Sequence, residues 1–169
     1  MSRSIYLFAL CMIVLTVFTH SSCNKAKLSW VQDGNWLQAA PIGAYPRGNS
    51  SSFVIGDTAY AGLGFNESIG GQSNGRLTDF WSFSLDSGWQ QKADFPGPAR
   101  SNAVGFSVGD SGYIGTGTDG VKGFHDFYQY DAVSNRWRAR DSFPGGDRYD
   151  AVGFGVLGKG YVGTGYNKY

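Results

Sequence analysis

The sequence predicts an all-β protein made of repeated four-stranded units, and three observations carry that expectation. The first is composition: of 169 residues, 16% are aromatic, 16% are charged and 26 are glycine. That balance disfavours helical bundles and disorder, and it suits short strands joined by tight turns. The second is a repeat. Phe143-Pro-Gly-Gly-Asp-Arg148 through Tyr161-Val-Gly-Thr-Gly165 rewrites Phe95-Pro-Gly-Pro-Ala-Arg100 through Tyr113-Ile-Gly-Thr-Gly117, and a looser copy runs from Tyr45-Pro-Arg47 through Tyr60-Ala-Gly-Leu-Gly64. The third is the period. Trp36, Trp89 and Trp137 step by 53 and then 48 residues, and Arg47, Arg100 and Arg148 take the same two steps. The five-residue difference reads as an insertion in one loop.

At the start of the chain Arg3 precedes an apolar run, Ile5 to Phe18, followed by Thr19-His-Ser-Ser-Cys23. The run is short for a membrane span and suits the apolar region of a secretory signal. Ser21 and Ser22 before Cys23 resemble the lipobox of a bacterial lipoprotein, which implies that residues 1–22 are a signal peptide and that Cys23 becomes the acylated first residue. An ordinary signal peptide cut nearby is the alternative. Residues 23–34 read as a tether. The only cysteines are Cys11 and Cys23, so the mature body holds no disulfide, thiol nucleophile or cysteine-based metal site. Packing alone must stabilise it.

Residues 35–41, Asn-Trp-Leu-Gln-Ala-Ala-Pro, read as a strand ended by proline. The second unit shows the full pattern. Ser101–Val108 alternates as strand one, and Gly109-Asp-Ser-Gly112 supplies a hairpin turn. Tyr113–Gly117 is strand two, and a loop from Thr118 to Gly123 leads on. Asp126–Tyr130 is strand three, Asp131–Asn135 turns, and Arg136–Arg140 is strand four.

A period near 48 residues with four strands marks a β-propeller blade. The motif residues resemble those of kelch repeats: Arg100 opening strand one, Tyr113 with Gly115 and Gly117 closing strand two, Asp126-Phe127-Tyr128 with Tyr130 in strand three, and Trp137 in strand four. Gly-Thr-Gly in place of adjacent glycines is similar to bacterial, Bacteroidetes-type secreted kelch proteins. The resemblance implies an incomplete propeller of about two and a half blades: a closing strand at 35–41, blades at 47–92 and 100–140, and a half blade at 148–166. A ring needs more units than this, so the chain reads as an N-terminal fragment, with self-association through open blade faces as an alternative. Exposed aromatic faces of that kind would favour aggregation.

Residues repeated in phase are expected to be structural. Arg47, Arg100 and Arg148 should bond backbone or neighbouring blades, with a ring of arginines facing an anionic ligand as the competing idea. Asp79 and Asp126 should cap turns or pair with polar groups of a neighbouring blade. Trp36, Trp89, Trp137, Trp81, Phe83, Tyr128 and Tyr130 suit packing between blades. Asp57 and Asp110 fall in strand one–two hairpins, where the third unit offers Lys159, which a calcium site does not predict. Candidate ligand-binding residues are those that break the repeat, in the loops between strands two and three: Glu67, Arg76, Asp119, Lys122 and His125. Loops of equal phase lie on one face of a propeller. Glu67 is the only glutamate, and His125 the only histidine after the signal segment.

Formal net charge is +1 with both signs scattered, which gives no basis for a nucleic-acid partner. No Gly-x-Ser-x-Gly, paired-carboxylate or metal-ligand spacing appears, so no catalytic residue, metal site or cofactor is expected. Galactose-oxidase chemistry, which the kelch resemblance brings to mind, needs histidines and a cysteine crosslink absent here. A kelch-type sialic-acid epimerase would need an acid/base set, for which only Glu67, Arg76 and His125 are available. The expected function is an exported binding module for a protein or glycan, held at an outer membrane or cell surface through Cys23. Periplasmic or secreted placement is the alternative location. A fragment of a carbohydrate-active kelch enzyme, its catalytic residues lying in other blades, is the alternative function. Asp57-Thr58-Ala59 also resembles a short O-glycosylation acceptor of exported proteins.

Overall fold

The computed structural model describes residues 39–43, 45–69 and 74–167. Cys23, Trp36 and the expected signal and tether lie outside the described residues, and of the strand expected at 35–41 only Ala39–Pro41 is described, with no strand there. The described chain is all-β, with ten strands and no helix. Strands β1 (Ser51–Ile55), β2 (Thr58–Gly62), β3 (Phe80–Ser84) and β4 (Gly88–Lys92) form one antiparallel sheet in chain order. A second sheet repeats the plan with β5 (Val104–Val108), β6 (Ser111–Gly115), β7 (Phe127–Asp131) and β8 (Arg136–Arg140). The third pairs β9 (Val152–Val156) with β10 (Lys159–Gly163). This is the arrangement of incomplete propeller blades.

Strand ends follow local backbone chemistry. β5 starts three residues later than the alternation predicts, because Asn102 is left-handed (φ 59°) and sends its N–H to Asn49 O, just before β1, at 3.0 Å. Asp150 repeats this one sheet on, with φ 56° and its N–H on Asn102 O at 3.1 Å. β6 ends at Gly115, short of the expected Gly117, since Thr116 (φ 58°) and Gly117 (φ 93°) leave the extended region. It also begins earlier, because the hairpin turns on Gly109-Asp110 alone. The third hairpin turns on Leu157-Gly158, so Gly158, not Lys159, is in phase with Asp57 and Asp110.

The blades join through aromatic side chains seated on glycine. A Cβ on Gly112 of β6 would lie 2.0 Å from Phe53 Cζ of β1, and one on Gly160 of β10 would lie 2.5 Å from Phe106 Cε2 of β5. Only a residue without a side chain lets the ring lie flat there. Phe53, Tyr60, Leu63, Phe80, Phe95, Ile114 and Tyr130 form the core between the first two sheets, and Val104, Phe106 and Phe127 the smaller one beyond it. Trp137 packs edge-on against Phe80, centroids 4.9 Å apart, and donates Nε1–H to Ala93 O at 2.9 Å. Trp89 does the same to Ala40 O at 2.8 Å. Rings of this kind bury about 150–250 Å2 each, which is how a body without disulfides is held.

Candidate functional site

The repeated arginines are structural. Arg100 is fully buried, donates Nη1–H and Nη2–H to the two oxygens of Asp126 at 2.5 and 2.8 Å, and reaches Thr116 O at 2.9 Å. Its guanidinium also lies over the Phe124 and Phe95 rings, at 4.2 and 4.9 Å. Arg47 makes the same fork on Asp79, at 2.5 and 2.6 Å. Asp79 and Asp126 therefore pair with the arginines of their own blades, where turn capping or a polar partner in a neighbouring blade was expected, and these two arginines do not face an anionic ligand. Burial alone would raise the Asp79 carboxyl. Hydrogen bonds from Arg47 and Trp81, with the Arg47 charge, outweigh it and hold the group below the usual carboxylate range.

The strand two–three loops present the residues that break the repeat. In the second blade, Thr118–Gly123 is a closed loop: Thr118 Oγ1 donates to Lys122 O at 2.7 Å and accepts the Gly120 N–H at 2.9 Å. Asp119 Oδ1 accepts the N–H groups of Val121 and Lys122 at 2.8 and 2.9 Å. These bonds and the Lys122 and Arg76 charges override partial burial and lower the Asp119 pKa. Asp119 thus shapes its own loop. Arg76 crosses from the first blade, donating Nε–H to Thr118 O at 3.2 Å and lying against Gly120, with its guanidinium 5.1 Å over Phe65.

Two open pockets flank Lys122-Gly123. One, of about 250 Å3, is lined by Lys122, Gly123, Phe124, His125, Asp126 and Asp147. The other, of about 170 Å3, runs past Thr118, Gly120 and Val121 to Tyr149. His125 Nδ1 pairs with Asp147 Oδ1 at the rim, both half-exposed. Lys122 Nζ lies 5.5 Å over the Phe124 ring.

Of the five residues predicted from sequence, Asp119 interacts with both Arg76 and Lys122, and His125 shares a pocket with Lys122. Glu67 does not join them; it is exposed and makes no hydrogen bond or ion pair among the described residues. The rest of its loop, residues 70–73, lies outside them. Asp147 and Tyr149 were not predicted. The signal for Asp147 was legible, since it stands where the equivalent linkers have Ala99 and Pro46. Among the described residues no group of three or more His, Cys, Asp or Glu could hold a metal ion.

No protein-family model matches the chain, and no curated protein matches it. Among solved structures the chain is similar to YjhT, a kelch-like β-propeller protein, with a TM-score of 0.58 and 25% identity over 72% of this chain and 35% of that one. The match spans about a third of the length of YjhT. What the likeness establishes is the class of fold: an all-β chain of antiparallel, propeller-like sheets.

Proposed function

We propose that this chain is part of an exported, kelch-type propeller whose strand two–three loops hold a polar ligand, a glycan or an exposed stretch of protein. The observation that carries the reading is the bridge from Arg76 to Thr118 O. It ties the loops of two blades into one surface beside the Lys122–His125–Asp147 pocket. Donors and acceptors of both signs stand close together there, as recognition of a hydroxyl-rich or peptide ligand requires.

In this reading Cys23 is acylated and tethers the propeller to an outer membrane or cell surface. Each buried CH2 contributes about 0.8 kcal/mol, so two or more acyl chains anchor stably. Mass spectrometry of the mature N-terminus tests this: an unmodified Cys23, or cleavage elsewhere, removes the anchor. Binding is tested on a glycan array and a peptide library with the full chain. Lys122→Ala and His125→Ala should each weaken a captured ligand by about tenfold, the worth of a charge-assisted hydrogen bond. Unchanged affinity in both variants would move the site elsewhere.

A further inference from the structure

The loop from Thr118 to Gly123 spends its backbone donors on itself. Asp119 N–H goes to Lys122 O at 3.3 Å and Gly120 N–H to Thr118 Oγ1 at 2.9 Å. The N–H groups of Val121 and Lys122 both go to Asp119 Oδ1, at 2.8 and 2.9 Å. On the acceptor side, Thr118 O already takes Ser101 N–H and Arg76 Nε–H. An extended peptide binds chiefly through main-chain pairing, and it would find no run of free backbone donors here. Recognition at the two pockets beside Lys122-Gly123 therefore falls to side chains.

Those side chains combine an aromatic face with polar groups of both signs. Tyr149 is half-buried and lines the smaller pocket together with Thr118 and Lys122. Its ring stacks on Tyr166, with centroids 5.7 Å apart and planes 26° from parallel. Two backbone bonds fix the pair, Tyr149 N–H to Tyr166 O at 3.1 Å and Tyr166 N–H to Tyr149 O at 2.8 Å. The same bridge joins Gly48 to Phe65 and Ser101 to Thr118 in the other two sheets. Tyr149 thus stands where its equivalents are glycine and serine, so it breaks the repeat as Lys122 and His125 do. In the larger pocket Lys122 and His125 stand with Asp126 and Asp147. His125 Nδ1 is engaged by Asp147, which leaves Nε2 to a ligand. Lys122 is also close to Asp119 in its own loop. A ligand with net charge of either sign would meet a like charge here, which is costly.

We propose that this surface takes a neutral oligosaccharide, one pyranose unit laid on the Tyr149 ring and the next reaching the Lys122–His125–Asp147 pocket. A pyranose has an apolar C–H face and a rim of hydroxyls. The face suits an aromatic ring, and each hydroxyl both donates and accepts, as Asp147 and Lys122 require. Lys122-Gly123, shared by the two pockets, sets the step from one unit to the next. Tyr149 is the residue that selects a sugar over a peptide. The proposal rests on the reading of these loops as a binding surface, and it narrows the ligand.

The test is isothermal titration calorimetry of the full chain with the neutral trisaccharides cellotriose, maltotriose and mannotriose, and with trigalacturonate as their acidic counterpart. Saturable binding of a neutral trisaccharide is expected, about tenfold tighter than that of trigalacturonate. Tyr149→Ser, which copies the second blade, should weaken it about tenfold, whereas Tyr149→Phe keeps the ring and should not. In proton NMR of the complex with the unsubstituted chain, sugar C–H signals should move upfield through the ring current. That readout decides the matter should Tyr149→Ser not fold. Lys122→Ala and His125→Ala should each weaken the same sugar. Failure of every neutral trisaccharide to bind, preference for trigalacturonate, full affinity in Tyr149→Ser, or unshifted C–H signals overturns the proposal. Capture of a peptide that Lys122→Ala abolishes, with no trisaccharide bound, would sink this proposal alone and leave the loop surface standing. Sugar affinity indifferent to both Lys122→Ala and His125→Ala would sink the two together.

Discussion

Arg100 closes a two-point fork on Asp126 while exposing none of its own side chain. The carboxylate comes from 26 residues further along and the equivalent Asp79 from 32 residues beyond Arg47. The fork therefore keeps its geometry across a loop that differs in length. A buried charge is tolerable only with such a partner and with its remaining donors satisfied.

Removing the carboxylate should consequently be costly. Asp126→Ala leaves the Arg100 charge buried without its partner, and a loss of about 3–5 kcal/mol is expected in urea unfolding. Arg148→Ala, which breaks no ion pair among the described residues, should cost much less. Equal losses in the two variants would show that the fork does not carry the difference.

Gly112→Ala puts a methyl group into the Phe53 ring. Overpacking of this type costs about 1–3 kcal/mol, and the thermal midpoint should fall accordingly. Phe53→Leu in the same chain should recover part of the loss, because the smaller side chain vacates the contact. A double variant no more stable than Gly112→Ala alone would remove Phe53 as the cause.

Acid should act through Asp79. Its folded pKa lies below the ordinary value, so the unfolded chain binds the proton more readily between the two values, and stability there rises with pH. The contribution is complete above about pH 4, the unfolded carboxylate range. It is lost as pH falls through the folded value. Urea midpoints at descending pH should fall more steeply in the natural chain than in Asp79→Asn. Parallel curves would show that Asp79 is not the group responsible.

Arg76→Ala should loosen the loop of the next blade while leaving the core alone. Hydrogen exchange at Gly120, Val121 and Lys122 should quicken several-fold, with little change in the unfolding midpoint. Unchanged exchange would mean that the internal bonds of Thr118 and Asp119 hold that loop unaided.

How much of the site could be read from sequence depends on which contacts are local. Asp119 and Lys122 lie in one short loop, and His125 follows within a few residues, so their proximity was legible as spacing. Arg76 was legible as a residue breaking the repeat, yet its reach to Thr118 crosses 42 positions and depends on how the blades are set. Asp147 lies outside the strand two–three loops, in the linker that precedes β9, 22 residues from His125, so its place in the pocket is not encoded locally. Folding brings that linker to His125, as the backbone bond from Phe143 N to His125 O at 2.7 Å shows.

The sequence alone determined the all-β class, the four-strand unit and the hairpin turns. These rest on alternation, glycine placement and a period of about 48 residues, all encoded within a few neighbouring positions. Tertiary structure decided what the repeated residues do. It directed Arg47 and Arg100 to carboxylates of their own blades and turned two strand glycines into seats for the rings of adjacent sheets. Those outcomes are contacts between residues far apart in the chain, and their geometry exists only once one sheet lies against the next.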